Sequence, residues 1–202
     1  MLVVLCAATT GLQVLLLAPR WVAAAPTGTQ ASFTVLALNA RLGRADPAGL
    51  AAAARTADVV VLTEVTAPQL RALPPTGLTV RLPHRNVGRL PATGGAGTAV
   101  LSRFPVTATT ALSADLAGNF NAVASHPTQR ALVRDGWRSA VDEAGAGWVP
   151  TYPADSPRVP PVIDIDHVFV AGGLRATAAR SVAVPGTDHL GLLVTVAVTA
   201  GA

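Results

Sequence analysis

The chain has 202 residues, enough for one domain with a substantial interior; half are hydrophobic but only 4% aromatic, so Ala, Val and Leu must fill the core. The net charge is +4 and all 15 basic residues are Arg, scattered without a run or interleaved aromatics, which permits a polyanionic partner but outlines no dedicated nucleic-acid groove. Cys6 stands alone, which excludes an internal disulfide and any cysteine-based zinc cluster.

In chain order, Leu2 to Ala18 is apolar apart from Thr9, Thr10 and Gln13, and Arg20-Trp21 marks an interface-like boundary after it. No positive segment precedes this stretch, and Pro26 follows Ala23-Ala24-Ala25, which argues against an ordinary cleaved signal. Residues 1–25 therefore read as a hydrophobic membrane anchor or export segment, which places the rest of the chain on a membrane or outside the cell. Residues 26–32, rich in small and polar residues, read as a linker to a globular part over 33–202.

Phe33 to Asn39 is a β-branched and apolar run that predicts a strand ending in an amide. Asp46-Pro47 supplies an N-cap and a first-turn proline for an Ala-rich helix to about Thr56. Asp58 to Glu64 is apolar throughout until its last residues, which predicts a strand covered on both faces and parallel to the first. A strand–helix–strand unit brings Asn39 and Glu64 to the same sheet edge. A carboxylate beside an amide there suits a hard cation such as magnesium; alternatively, Glu64 caps the helix that begins near Thr66.

A short helix over Pro68–Leu73 and a strand over Leu78–Leu82 are expected next, then a Gly- and Pro-containing loop over Gly88–Gly97. Gly97 to Val106 reads as a strand, a turn at Ser102-Arg103-Phe104-Pro105 and the beginning of another strand. Ser125, with Pro127 two residues later, begins a helix through about Arg134, ended by Asp135-Gly136. Trp148 to Pro161 is a Pro-rich loop. It leads into Ile163 to Val170, a strand that aims Asp166 from apolar neighbours unless that acid merely caps a turn. Gly186-Thr187-Asp188-His189 is a turn before a last strand, Leu190–Val198. His84 and His126 read as surface or loop residues.

These pieces, taken in order, resemble the endonuclease/exonuclease/phosphatase superfamily, and most of all its bacterial membrane-anchored members. The matching segments are the strand ending in Asn39, Thr63-Glu64-Val65, Gly97 to Pro105, Gly118-Asn119-Phe120-Asn121, Thr151-Tyr152-Pro153, Ile165-Asp166-His167 and Thr187-Asp188-His189. The resemblance implies an α/β fold, a four-layer α/β/β/α sandwich of two mixed sheets. It implies a metal-dependent phosphoesterase of nuclease or phosphatase type, acting as a monomer with Mg2+ or Mn2+. Glu64, Asp188 and Asn39 match the metal side. His189 matches the histidine that contacts the phosphate, Asp166 the acid that orients it, and Asn121 the amide that steadies the attacked phosphate.

Two departures from the family pattern bear on activity. Asn119 stands where the family carries a catalytic aspartate, and an amide cannot take a proton at neutral pH. Only a short connection separates the Ser102-Arg103-Phe104-Pro105 turn from Gly118, where the family places two core strands and a phosphate-contacting histidine or tyrosine. One sheet is therefore expected to lack central strands. The alternative function is an inactive relative that binds phosphate or lipid headgroups, or serves as an interaction module.

Overall fold

The computed structural model describes residues 18–23, 28–90, 97–106 and 117–200. The greater part of the apolar N-terminal stretch, Leu2 to Leu17, and the expected strand after Val106 lie outside the described residues. No helix among the described residues is long and apolar enough to cross a membrane.

The elements are β1 (Thr29–Asn39), α1 (Pro47–Ala53), β2 (Val59–Val65), α2 (Ala67–Ala72), α3 (Leu78–Arg81), β3 (His84–Val87), β4 (Gly97–Ser102), β5 (Ala117–Asn119), α4 (Pro127–Arg134), β6 (Arg138–Ser139), α5 (Ala140–Glu143), β7 (Asp166–Val170), β8 (Leu174–Val182) and β9 (Gly191–Thr199). Six strands form one mixed sheet in the order β3-β4-β2-β1-β9-β8, with β1 and β2 parallel as their uninterrupted apolar character requires. The second sheet, β5-β7-β6, is antiparallel and has three short strands among the described residues. The connection after Ser102, where the sequence implied missing strands, lies outside the described residues over 107–116.

Side-chain alternation along the central strands builds two separate cores. Leu36 and Leu38 of β1, Val60 and Leu62 of β2 and Leu193 of β9 face one way, against Leu50 of α1, Leu73, and Leu78 of α3. Val35 and Ala37, with Leu192, Val194 and Val196, face the other way, against Val168 and Val170 of β7 and Ala140 of α5. The large sheet is thus the shared middle of a sandwich, with helices on one side and the small sheet plus α5 on the other.

Several expectations are corrected. Leu78–Leu82 is not a strand: Leu-Thr-Val-Arg-Leu alternates, but its two leucines also stand four apart. The chain takes the helix, burying Leu78 and Leu82 while Val80 is 80% exposed. β1 begins at Thr29, inside the supposed linker, because Thr29 to Ser32 pair with the end of β9. The first helix stops at Ala53, short of Thr56, while Asp46 caps it as expected, accepting from Gly49 N–H at 2.6 Å. The strand bearing Asp166 starts at that residue rather than at Ile163. His84 lies partly exposed in edge strand β3, and His126 is a surface residue as expected, where it caps α4 by accepting from Thr128 N–H at 3.3 Å. β8, an Ala-, Thr- and Arg-containing strand beside β9, had no counterpart in the sequence reading.

The α3 assignment makes a direct test. Val80→Glu should change the denaturant-derived stability by less than about 0.5 kcal/mol, as surface substitutions do. Leu78→Ala should cost about 2–5 kcal/mol. A strand would penalise both residues alike.

Candidate active site

The site is assembled at the edge where β1 and β2 end. Parallel pairing sets Asn39 opposite Thr63, and the next residue, Glu64, lies at a β-bulge in the β2–β4 pairing with φ +51. A bulge re-aims the side chain it carries, and a left-handed backbone at a glutamate is uncommon. Asn39 is buried; its amide donates to Glu64 Oε1 at 2.9 Å, while its oxygen accepts from Arg41 N–H at 2.8 Å. Asn39 therefore holds the carboxylate in place rather than offering a free oxygen to an ion. The capping alternative for Glu64 fails, because Thr66 Oγ1 caps α2 by accepting from Gln69 N–H.

The second group comes from β7 and the turn before β9. His189 Nδ1 and Asp166 Oδ2 are 2.7 Å apart, and both residues are buried. Three residues seat this pair. Thr187 Oγ1–H donates to Asn39 O at 2.7 Å and accepts from His189 N–H at 3.2 Å, which fastens the turn to the end of β1. Thr151 Oγ1 accepts from the backbone N–H of Ile165 and of Asp166 at 3.4 and 3.3 Å. The Tyr152 ring packs on His189 with centroids 5.0 Å apart.

The third group is the turn after β5. Antiparallel pairing sets Asn119 opposite Asp166. Gly118 is pressed against the end of β2, and a Cβ there would lie 2.8 Å from Thr63 Cγ2. Asn121 has φ +49, and its N–H donates to Asn119 Oδ1 at 2.7 Å, an Asx-type turn that consumes the Asn119 oxygen locally.

Electrostatics tie the groups together. Burial acts to lower the His189 pKa, but the hydrogen bond and charge of Asp166, with the charges of Asp188 and Glu64, outweigh it and leave the value raised. Arg41 approaches Asp188 at 3.6 Å and Asp155 at 2.7 Å. The structure thus brings together Asn39 with Glu64, Asp166 with His189, and Asn119 with Asn121, with Asp188 and Glu64 both acting on His189. His84 and His126 belong elsewhere. Arg41 was not singled out by the sequence, and Thr187 and Tyr152 stood only as members of matching segments; their tertiary contacts reveal what they do, although an arginine two residues past a strand-end amide was a visible signal.

Among the described residues, no three His, Cys, Asp or Glu side chains stand close enough to share a metal ion. The donor set still fits a hard cation that keeps most of its waters, because Glu64 is a partly exposed carboxylate steadied by an amide.

A two-sheet α/β sandwich with a strand-end Glu–Asn pair and a buried Asp–His pair defines a narrow class. The sequence model of the endonuclease/exonuclease/phosphatase family matches residues 36–189, and the chain belongs to that family. Three solved structures share the fold. An endonuclease/exonuclease/phosphatase from Beutenbergia cavernae is 19% identical with a TM-score of 0.64, covering 84% of this chain and 72% of that one. A humanized TDP2 from D. rerio is 14% identical with a TM-score of 0.58, covering 82% and 98%. A mannosyl-6-phosphatase from Bacteroides thetaiotaomicron is 13% identical with a TM-score of 0.54, covering 81% and 99%. No curated protein matches.

The raised His189 value has a stability consequence of fixed sign. The native state holds the proton more tightly than the unfolded chain, so the stabilisation is complete below the ordinary imidazole range and fades as pH rises through the native value. The stability gap between the wild type and His189→Gln should therefore narrow across that rise in denaturant titrations. Asp166→Asn should lower the NMR titration midpoint of His189.

Proposed function

We propose that the chain is a metal-dependent phosphoesterase whose reaction centre is Glu64, Asp166, Asp188 and His189, with Asn121 as a phosphate contact. The observation that carries this reading is the buried Asp166–His189 pair, placed where Glu64 and Asp188 act on the same imidazole. Asp166 engages Nδ1, which leaves Nε2 as the imidazole atom that can donate to a phosphoryl oxygen and stabilise charge as it develops. Asn121, held by Asn119, offers an amide donor to the same group. Glu64 would hold a divalent cation such as Mg2+, which when bound neutralises phosphoryl charge. Arg41 keeps Asp188 oriented and offsets its charge. The apolar stretch over residues 1–25 supports an enzyme attached to a membrane or exported, with a phosphoester as its small or polymeric partner.

A second reading is favoured by one observation. The oxygen of Asn119 closes a turn onto Asn121 N–H, and an amide cannot serve as a base. The chain would then bind a phosphate-bearing ligand and an ion without turnover.

Hydrolysis of bis(p-nitrophenyl) phosphate and p-nitrophenyl phosphate by the purified chain with Mg2+ separates the two. The enzyme reading expects turnover that Glu64→Ala abolishes and that Asn119→Asp raises by roughly a hundredfold, the scale of a general-base contribution. No turnover in either the wild type or Asn119→Asp would leave only the binding reading. In both cases Mg2+ should stabilise the wild type, by about 2.7 kcal/mol at a hundredfold excess over its Kd, but not Glu64→Ala. Thermal denaturation with and without the ion measures this.

A further inference from the structure

Residues just past the apolar N-terminal stretch are packed onto the folded domain. Ala18–Trp21 makes one 3-10 turn, and its Arg20 carbonyl accepts from Gly147 N–H at 2.7 Å. Arg20 Nε donates to Asp142 of α5 at 3.0 Å, and Arg20 Nη2 lies 4.0 Å from Asp164. The seat is shaped for this segment. Gly147 has φ +73, and a Cβ there would come within 2.3 Å of the Trp21 ring, so only glycine meets both demands.

The docked segment exposes apolar surface, with Trp21 65% and Val22 67% exposed, and Trp148, next in the chain to the Gly147 that meets the Trp21 ring, is 52% exposed. Asp142 also lines a cavity of about 370 Å³ between α4 and α5, bordered by Arg130, Val133, Arg134, Ser139 and Phe169. Neither Arg130 nor Arg134 is in an ion pair among the described residues. Tryptophan with arginine is the side-chain pairing suited to the headgroup level of a bilayer, and exposed arginine charge favours anionic lipid. In sequence the apolar stretch, Leu2 to Ala18, runs directly into the docked turn that begins at Ala18.

We propose that this face, carried by Trp21, Val22, Trp148 and the arginines of α4, rests on an anionic phospholipid surface and holds the domain directly against the bilayer. The proposal rests on reading the N-terminal stretch as a membrane segment and is independent of phosphoester hydrolysis.

The test uses the full chain reconstituted into vesicles of phosphatidylcholine and phosphatidylglycerol whose acyl chains are brominated close to the glycerol. The chain should float with the vesicles, and its tryptophan emission should be blue-shifted and quenched. The double variant Trp21→Phe/Trp148→Phe, which keeps Trp137, should lose the quenched component. Arg130→Glu/Arg134→Glu should float equally well but show the weaker quenching found on phosphatidylcholine alone. All four positions border solvent or the cavity, and circular dichroism checks that the fold is kept. Flotation with unquenched emission would mean that the domain stands clear of the lipid and would overturn the proposal. Failure to float, or quenching indifferent to these substitutions, would overturn it equally.

Discussion

The contact between Asp166 and His189 is the joint on which the molecule closes. Asp166 opens β7 in the small sheet, while His189 lies on the turn that feeds β9 in the large one. Their side chains are 0% and 6% exposed, so removing either would strand a polar or charged partner in the interior, at a cost of about 3–5 kcal/mol for a buried pair. The same turn is pinned to the end of β1 through Thr187. Packing of the two sheets and placement of the imidazole are therefore one constraint. A small sheet of three short strands can keep its position because polar contacts at this edge supplement its limited apolar area.

Backbone strain gathers at the same edge. The non-glycine residues with positive φ among those described are Arg41, Leu42, Glu64 and Asn121. Conformations of this kind cost on the order of 1–3 kcal/mol each and persist where the surroundings over-determine them. Glu64 is fixed by Asn39 at its side chain and by Gly43 N–H at its carbonyl, and Asn121 by the turn it shares with Asn119. At Glu64 and Asn121 the strain fixes the direction of one carboxylate and one amide.

Much of this was legible in the residues. Uninterrupted Val and Leu in β2 could only mean a strand covered on both sides, and strand–helix–strand handedness then put Asn39 and Glu64 together. Other features were hidden for definite reasons. Leu78 to Leu82 satisfies strand and helix periodicity at once, and only the neighbouring core decides. β8 carries Ala, Thr and Arg on a half-exposed face, so its alternation has little hydrophobic contrast. Arg41 and Thr187 act through partners distant in the chain, which local pattern does not encode. Asn119 was visible as a departure, but its engagement with Asn121 needed coordinates.

The division of β1 between two oily layers, Leu36 and Leu38 to one and Val35 and Ala37 to the other, governs how this chain can change in length. Gaining or losing a single residue inside such a strand would invert every position beyond it and turn both layers inside out. Insertions and deletions are thereby confined to the connections between strands.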